Sequence, residues 1–151
     1  MNKIQRARIL KLAAFIAGPV AKADAKARKK GRYKFDMGSW CEWNNWDVER
    51  QEYLPRKIGL TRNLCDTSAC ALGWATVVFP RHLQLDNGVV SLRGTKKFSD
   101  LAAMNFFGLT IEQSRVAFSN GTSRSAKEEA ALLRGMAQAS NGPPPADEGG
   151  V

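Results

Sequence analysis

The chain has one histidine and three cysteines among 151 residues, and both shortages narrow its chemistry. Cys41, Cys65 and Cys70 are an odd number at irregular spacing, which excludes the paired framework of a small disulfide-rich secreted domain. A reducing compartment is expected. There is no P-loop, dinucleotide fingerprint, H-E-x-x-H or G-x-S-x-G motif, so the common phosphate-cradling, metallopeptidase and serine-hydrolase signatures are missing. No apolar run approaches the roughly 20 residues that span a bilayer. Leu12 to Ala17 followed by Ala-Lys-Ala-Asp-Ala imitates a secretory leader. The apolar stretch is too short and abuts Lys11, so a retained amphipathic helix and a cytoplasmic location are expected, with no membrane partner. No internal repeat is visible.

What is abundant is positive charge, and it is unevenly placed. The formal net charge is +9, yet residues 1–34 carry eleven Lys and Arg against Asp24 alone, while the remainder sums to −1. Such asymmetry points that segment toward an anionic partner. A solvated face that keeps the chain soluble is the bland alternative.

The size suits one domain, with residues 1–140 as an α-rich unit and 141–151 as a disordered tail containing Pro143-Pro144-Pro145. Residues 3–17 read as a helix with Ile4, Ala7, Leu10, Ala14 and Ala17 on one stripe, stopped by Gly18-Pro19. Residues 20–34 form a basic segment whose alanines favour helix and which lacks apolar anchors, as expected of a segment ordered on contact with a partner. Ser39-Trp40-Cys41-Glu42 has capping-box form, which predicts a helix placing Trp40, Trp43 and Trp46 on one face. Thr67 is the expected N-cap of a helix over Ser68 to Phe79, ended by Pro80. Asn87-Gly88 between Leu83–Leu85 and Val89–Leu92 predicts a tight hairpin. Ser99 is expected to cap a helix closed by Gly108. Thr110 with Gln113, and Ser125 with Glu128, predict two more helix starts. The fold class is therefore mainly α: a compact bundle of five or six short helices with one small β-hairpin. Core candidates are Trp74, Phe79, Phe98, Leu101, Met104, Phe107 and Phe118.

Phe35-Asp36-Met37, then Cys65-Asp66-Thr67-Ser68-Ala69-Cys70-Ala71-Leu72-Gly73-Trp74-Ala75, then Phe107-Gly108-Leu109-Thr110 follow in that order. The order resembles a family of small proteins of bacteria and their phages with the pattern F-[DN]-M, C-G-T-x-x-C-x-x-G-[WH]-A and F-G-[IL]-T. Asp66 stands where that pattern has glycine, and the basic stretch at 22–34 is longer. The resemblance implies an N-terminal helix, a Cys motif opening a helix and a helical pair. It carries no activity, but implies a phage or mobile element as source and a bacterial host cell as location.

Three functions compete. The leading expectation is a non-enzymatic accessory protein that binds and inhibits or remodels a host protein or nucleoprotein complex, through Trp40, Trp43 and Trp46, since exposed tryptophans favour docking. Those tryptophans are equally read as core. The second is sequence-independent nucleic-acid binding through Lys22, Lys26, Arg28, Lys29, Lys30, Arg32 and Lys34, mainly on phosphates. The third is a thiol or zinc enzyme. Cys65 or Cys70 at a helix start, with His82, offers a nucleophilic pair. Cys41, Cys65, Cys70 and His82 offer a Cys₃His set, although the closest spacing, C-x₄-C, is looser than structural zinc prefers. No cofactor is expected. The plainest reading of the cysteines is small buried thiols packing a helix start.

Overall fold

A computed structural model describes residues 1–31, 35, 70–86, 89–118 and 124–139, and the backbone of short strands at 42–43, 46–47, 52–53 and 67–68. The Pro-rich tail, Arg32, Lys34, Trp40, Cys41 and Cys65 lie outside the described residues.

The first helix, α1 (Lys3–Phe15), opens on a capping box. Asn2 Oδ1 accepts from the Gln5 amide and Gln5 Oε1 accepts from the Asn2 amide, each at 2.9 Å. Its core face is not the stripe expected from the sequence. Ile9, Leu12, Ala13 and Ile16 are buried, whereas Ile4 is 65% exposed and Leu10 38% exposed. Two apolar stripes compete around this helix. The one carrying Ile9, Leu12 and Ile16 removes more apolar area from water than the one built mostly from alanine.

Gly18-Pro19 does not stop the chain. Ile16–Val20 form a single π turn, and α2 (Ala21–Arg28) continues from it. The Ala21 amide donates to Ile16 O, five residues back. Proline in an α-helix lacks a donor and its ring clashes with the carbonyl four residues earlier. The wider π turn relieves that crowding, so the helix is re-phased rather than ended.

Four two-residue strands follow. Strand β1 (Glu42–Trp43) pairs antiparallel with β4 (Thr67–Ser68), and β2 (Trp46–Asp47) pairs with β3 (Glu52–Tyr53). The expected helix carrying three tryptophans is thus corrected: Trp43 and Trp46 lie in separate extended pairs. Aromatic and β-branched residues suit such pairs, and a capping box is a local signal that pairing overrides. Thr67 is likewise a strand residue. The helix it was expected to cap, α3, runs Ala71–Val78 with Cys70 at the N-cap position in extended geometry.

All eight residues of α3 are buried. Around it pack α1, the hairpin of β5 (Leu83–Asp86) and β6 (Val89–Leu92), and α5 (Ile111–Phe118). The hairpin register sets Asp86 opposite Val89; the expected Asn87-Gly88 turn itself lies outside the described residues. Helix α4 (Ser99–Phe107) ends at Gly108, whose φ of 68° is the left-handed conformation expected of a C-terminal glycine. Phe98, not Ser99, occupies the N-cap, and it makes no side-chain cap bond. Both remaining capping boxes form. Thr110 Oγ1 accepts from the Gln113 amide at 3.2 Å, and Ser125 Oγ accepts from the Glu128 amide at 3.3 Å, opening α5 and α6 (Ala126–Ala139). Helix α6 lies along α1 and the π turn.

The fold is mainly helical, with six α-helices and a hairpin of two four-residue strands among the described residues. Trp74, Phe79, Phe107 and Phe118 are core as expected, but Phe98 and Leu101 are 44% and 53% exposed. No helix among the described residues is long and apolar enough to cross a membrane.

Candidate anion-binding surface

Helix α2 has two opposed faces. Val20, Asp24 and Ala27 are buried, at the i, i+4, i+7 spacing of one helical stripe. Lys22, Lys26, Lys29 and Lys30 are exposed, at i, i+4, i+7 and i+8, the same spacing turned to the far side. Lys29 is the C-cap residue and Lys30 the turn after it. Cations at that end also oppose the partial negative charge of the helix C-terminus. The exposed neighbour Ala25 adds no bulk beside the ammonium groups.

The single acid of this segment sits under the stripe rather than in it. Asp24 is 5% exposed. Its Oδ1 accepts the Phe35 amide at 3.0 Å and its Oδ2 accepts Arg28 Nε at 2.6 Å. A buried carboxylate needs such partners, because desolvation without them costs several kcal/mol or more. Asp24 therefore ties the chain after α2 back onto the helix. It also engages Arg28, one of the seven basic positions singled out from the sequence, and leaves the four lysines without a facing acid on their own helix.

The thiol chemistry reads differently from the sequence expectation. Cys70 is fully buried. Burial pushes its thiol up to about 11, against smaller opposing contributions from the backbone at Gly73 and Leu72, with the Glu129 charge adding to the rise. The helix N-terminus was expected to favour thiolate; desolvation is the larger effect here. His82 is exposed and its ring lies beside Phe106, 5.5 Å centre to centre. No group of three or more His, Cys, Asp or Glu side chains able to hold a metal occurs among the described residues; Cys41 and Cys65 lie outside them.

One buried charge had no signal in the sequence beyond its place in a helix first turn. Glu129 is 0% exposed. Arg124 Nε lies 2.8 Å from Glu129 Oε2, a buried ion pair. Burial raises its pKa to about 7, opposed by the Arg124 charge. Arg124 also donates through Nη2 to Val116 O. This pair lies in the α5–α6 join and is structural in placement.

No family model, curated protein or solved structure matches this chain.

Proposed function

We propose that this protein binds nucleic acid through phosphates, without reading sequence, and that the lysine face of α2 is its contact. The observation that carries this reading is the placement of Lys22, Lys26, Lys29 and Lys30 on one exposed face while Asp24 is buried on the other. Lysine acts on phosphate as a point charge and displaces condensed counterions, which gives affinity and steering but no base discrimination. Arg32 and Lys34 extend the same run in sequence.

The test is a titration of labelled duplex and single-stranded DNA over a salt series. On duplex, log K should fall with log salt by about 0.9 for each phosphate neutralised, and by about 0.7 on single strands. Replacing Lys22, Lys26, Lys29 and Lys30 by Gln should flatten that slope. No binding by the unmodified protein at about 50 mM salt would sink the reading.

The expectation of a phage-type factor that occludes or remodels a host complex comes second. It draws on the family resemblance and on the tryptophan-rich stretch Trp40 to Trp46. Phosphate contact would seat such a factor on a nucleoprotein target. A complex recovered from host lysate with the unmodified chain, and lost with the α2 variant, would support it.

A further inference from the structure

A second cationic surface is assembled from parts of the chain far apart in sequence. Phe79, closing α3, and Phe106, in α4, meet edge to face with centres 5.0 Å apart. Three cationic or imidazole groups rest against this pair. The Arg8 guanidinium carbon of α1 lies 4.1 Å from the centre of the Phe106 ring. Lys11 Nζ, one turn on, lies 5.5 Å from the centre of the Phe79 ring. The His82 ring lies 5.5 Å from that of Phe106. Arg81, in the turn between α3 and β5, and Arg93, just after β6, are both exposed, and Arg93 bonds the residues on either side of Arg81.

The cluster is held in place. Arg8 Nη1 donates to Phe106 O at 2.9 Å. Arg93 Nε donates to Pro80 O at 2.8 Å, and its amide donates to His82 O at 2.8 Å. The Arg8 and Arg93 guanidiniums are thus each fixed by a main-chain carbonyl, a contact that does not reduce their charge. Among the described residues, Arg8, Lys11, Arg81 and Arg93 form no ion pair. Like charges gathered without counter-charge repel, which a fold tolerates at little cost only in water or against an anion. Guanidiniums fixed in advance lose less freedom on binding, and their fork matches two phosphate oxygens.

We propose that Arg8 and Lys11, on the Phe79–Phe106 pair, with Arg81 and Arg93 at the adjoining turn, form a second phosphate-contact site for the same nucleic acid. The inference rests on the nucleic-acid reading above. The contact is to the sugar-phosphate backbone and not to bases, because Phe106 is only 3% exposed and Phe79 only 9%. Neither ring offers a face for stacking. The site involves the turn and the hairpin as well as the N-terminal segment, so the footprint is larger than the lysine face alone.

The experiment compares three full-length proteins on one labelled duplex across a salt series: the unmodified chain, the four-lysine α2 variant, and a variant with Lys11→Gln, Arg81→Gln and Arg93→Gln. Arg8 is left in place because it covers Phe106. The triple variant should lose about 2–3 from the slope of log K against log salt. Arg81→Gln alone, which breaks no contact in the structure, should lose about 0.9 and guards against a folding artefact. A triple variant with unmodified affinity and slope, beside an α2 variant that has lost both, overturns this inference and leaves the α2 reading standing. Loss in the triple variant with a silent α2 variant supports this site and removes the other. No binding by the unmodified chain overturns both.

Discussion

Helices α2 and α3 are both eight residues long, and they do opposite work. Every residue of α3 is buried, whereas only Asp24 and Ala27 are buried in α2. The first is buried around its whole circumference and serves as the axis on which α1, α5 and the hairpin pack. The second buries two positions and turns Lys22, Lys26 and Arg28 outward. On the reading proposed above, stability and binding would be carried by different segments, and substitutions should separate them.

The largest effect is expected at Trp74, which is fully buried and stands 6.4 Å from Phe15, centre to centre. Trp74→Ala should cost about 3–5 kcal/mol in denaturant unfolding, and a variant as stable as the parent would show that α3 is not the axis of the core. Next comes the buried carboxyl on α6. Glu129 titrates near 4.5 when unfolded and near 7 when folded, so the folded state holds the proton more firmly. Its contribution to stability is complete below about pH 4.5 and is lost as pH rises through 7. Relative to Glu129→Gln, the parent should lose at most about 3 kcal/mol between pH 4 and pH 8. Parallel stability–pH curves for the two proteins would show that the carboxyl is not desolvated as described. The smallest effect is on α2 itself. Lys22→Gln with Lys26→Gln should shift unfolding by no more than about 0.5 kcal/mol. A large loss would mean that these lysines hold the fold, and the contrast between the two helices would fail.

What could be read from the sequence was local. The Thr110–Gln113 and Ser125–Glu128 boxes each close within four residues, and the strands Leu83–Asp86 and Val89–Leu92 pair with near neighbours in the chain. The lysine run was visible for the same reason. What escaped depends on distant neighbours. Ile9 and Leu12 face inward instead of Ile4 and Leu10 because α6 and α3 lie on that side. Glu129 sits in an ordinary first helical turn until Arg124 and the thiol of Cys70 close around it. Arg8 meets Phe106 across 98 positions of chain, and no periodicity encodes that meeting. Trp43 was placed on a helix because the competing partner, Thr67, lies 24 positions away.

The π turn at Ile16–Val20 has a consequence for how this chain tolerates changes in length. A π turn takes up one residue more than an α turn for the same rotation, so it works as an absorbed insertion. Each residue of α-helix turns the chain by about 100°. An unbroken α-helix of the same length would swing α2 about its axis by roughly that angle, drawing lysines toward the interior and Asp24 toward solvent. Removing Pro19 should instead leave an ordinary helix with both faces still in step. The join is thus the one point in this helical run where the spacing between its anchoring half and its charged half can be reset without turning either over.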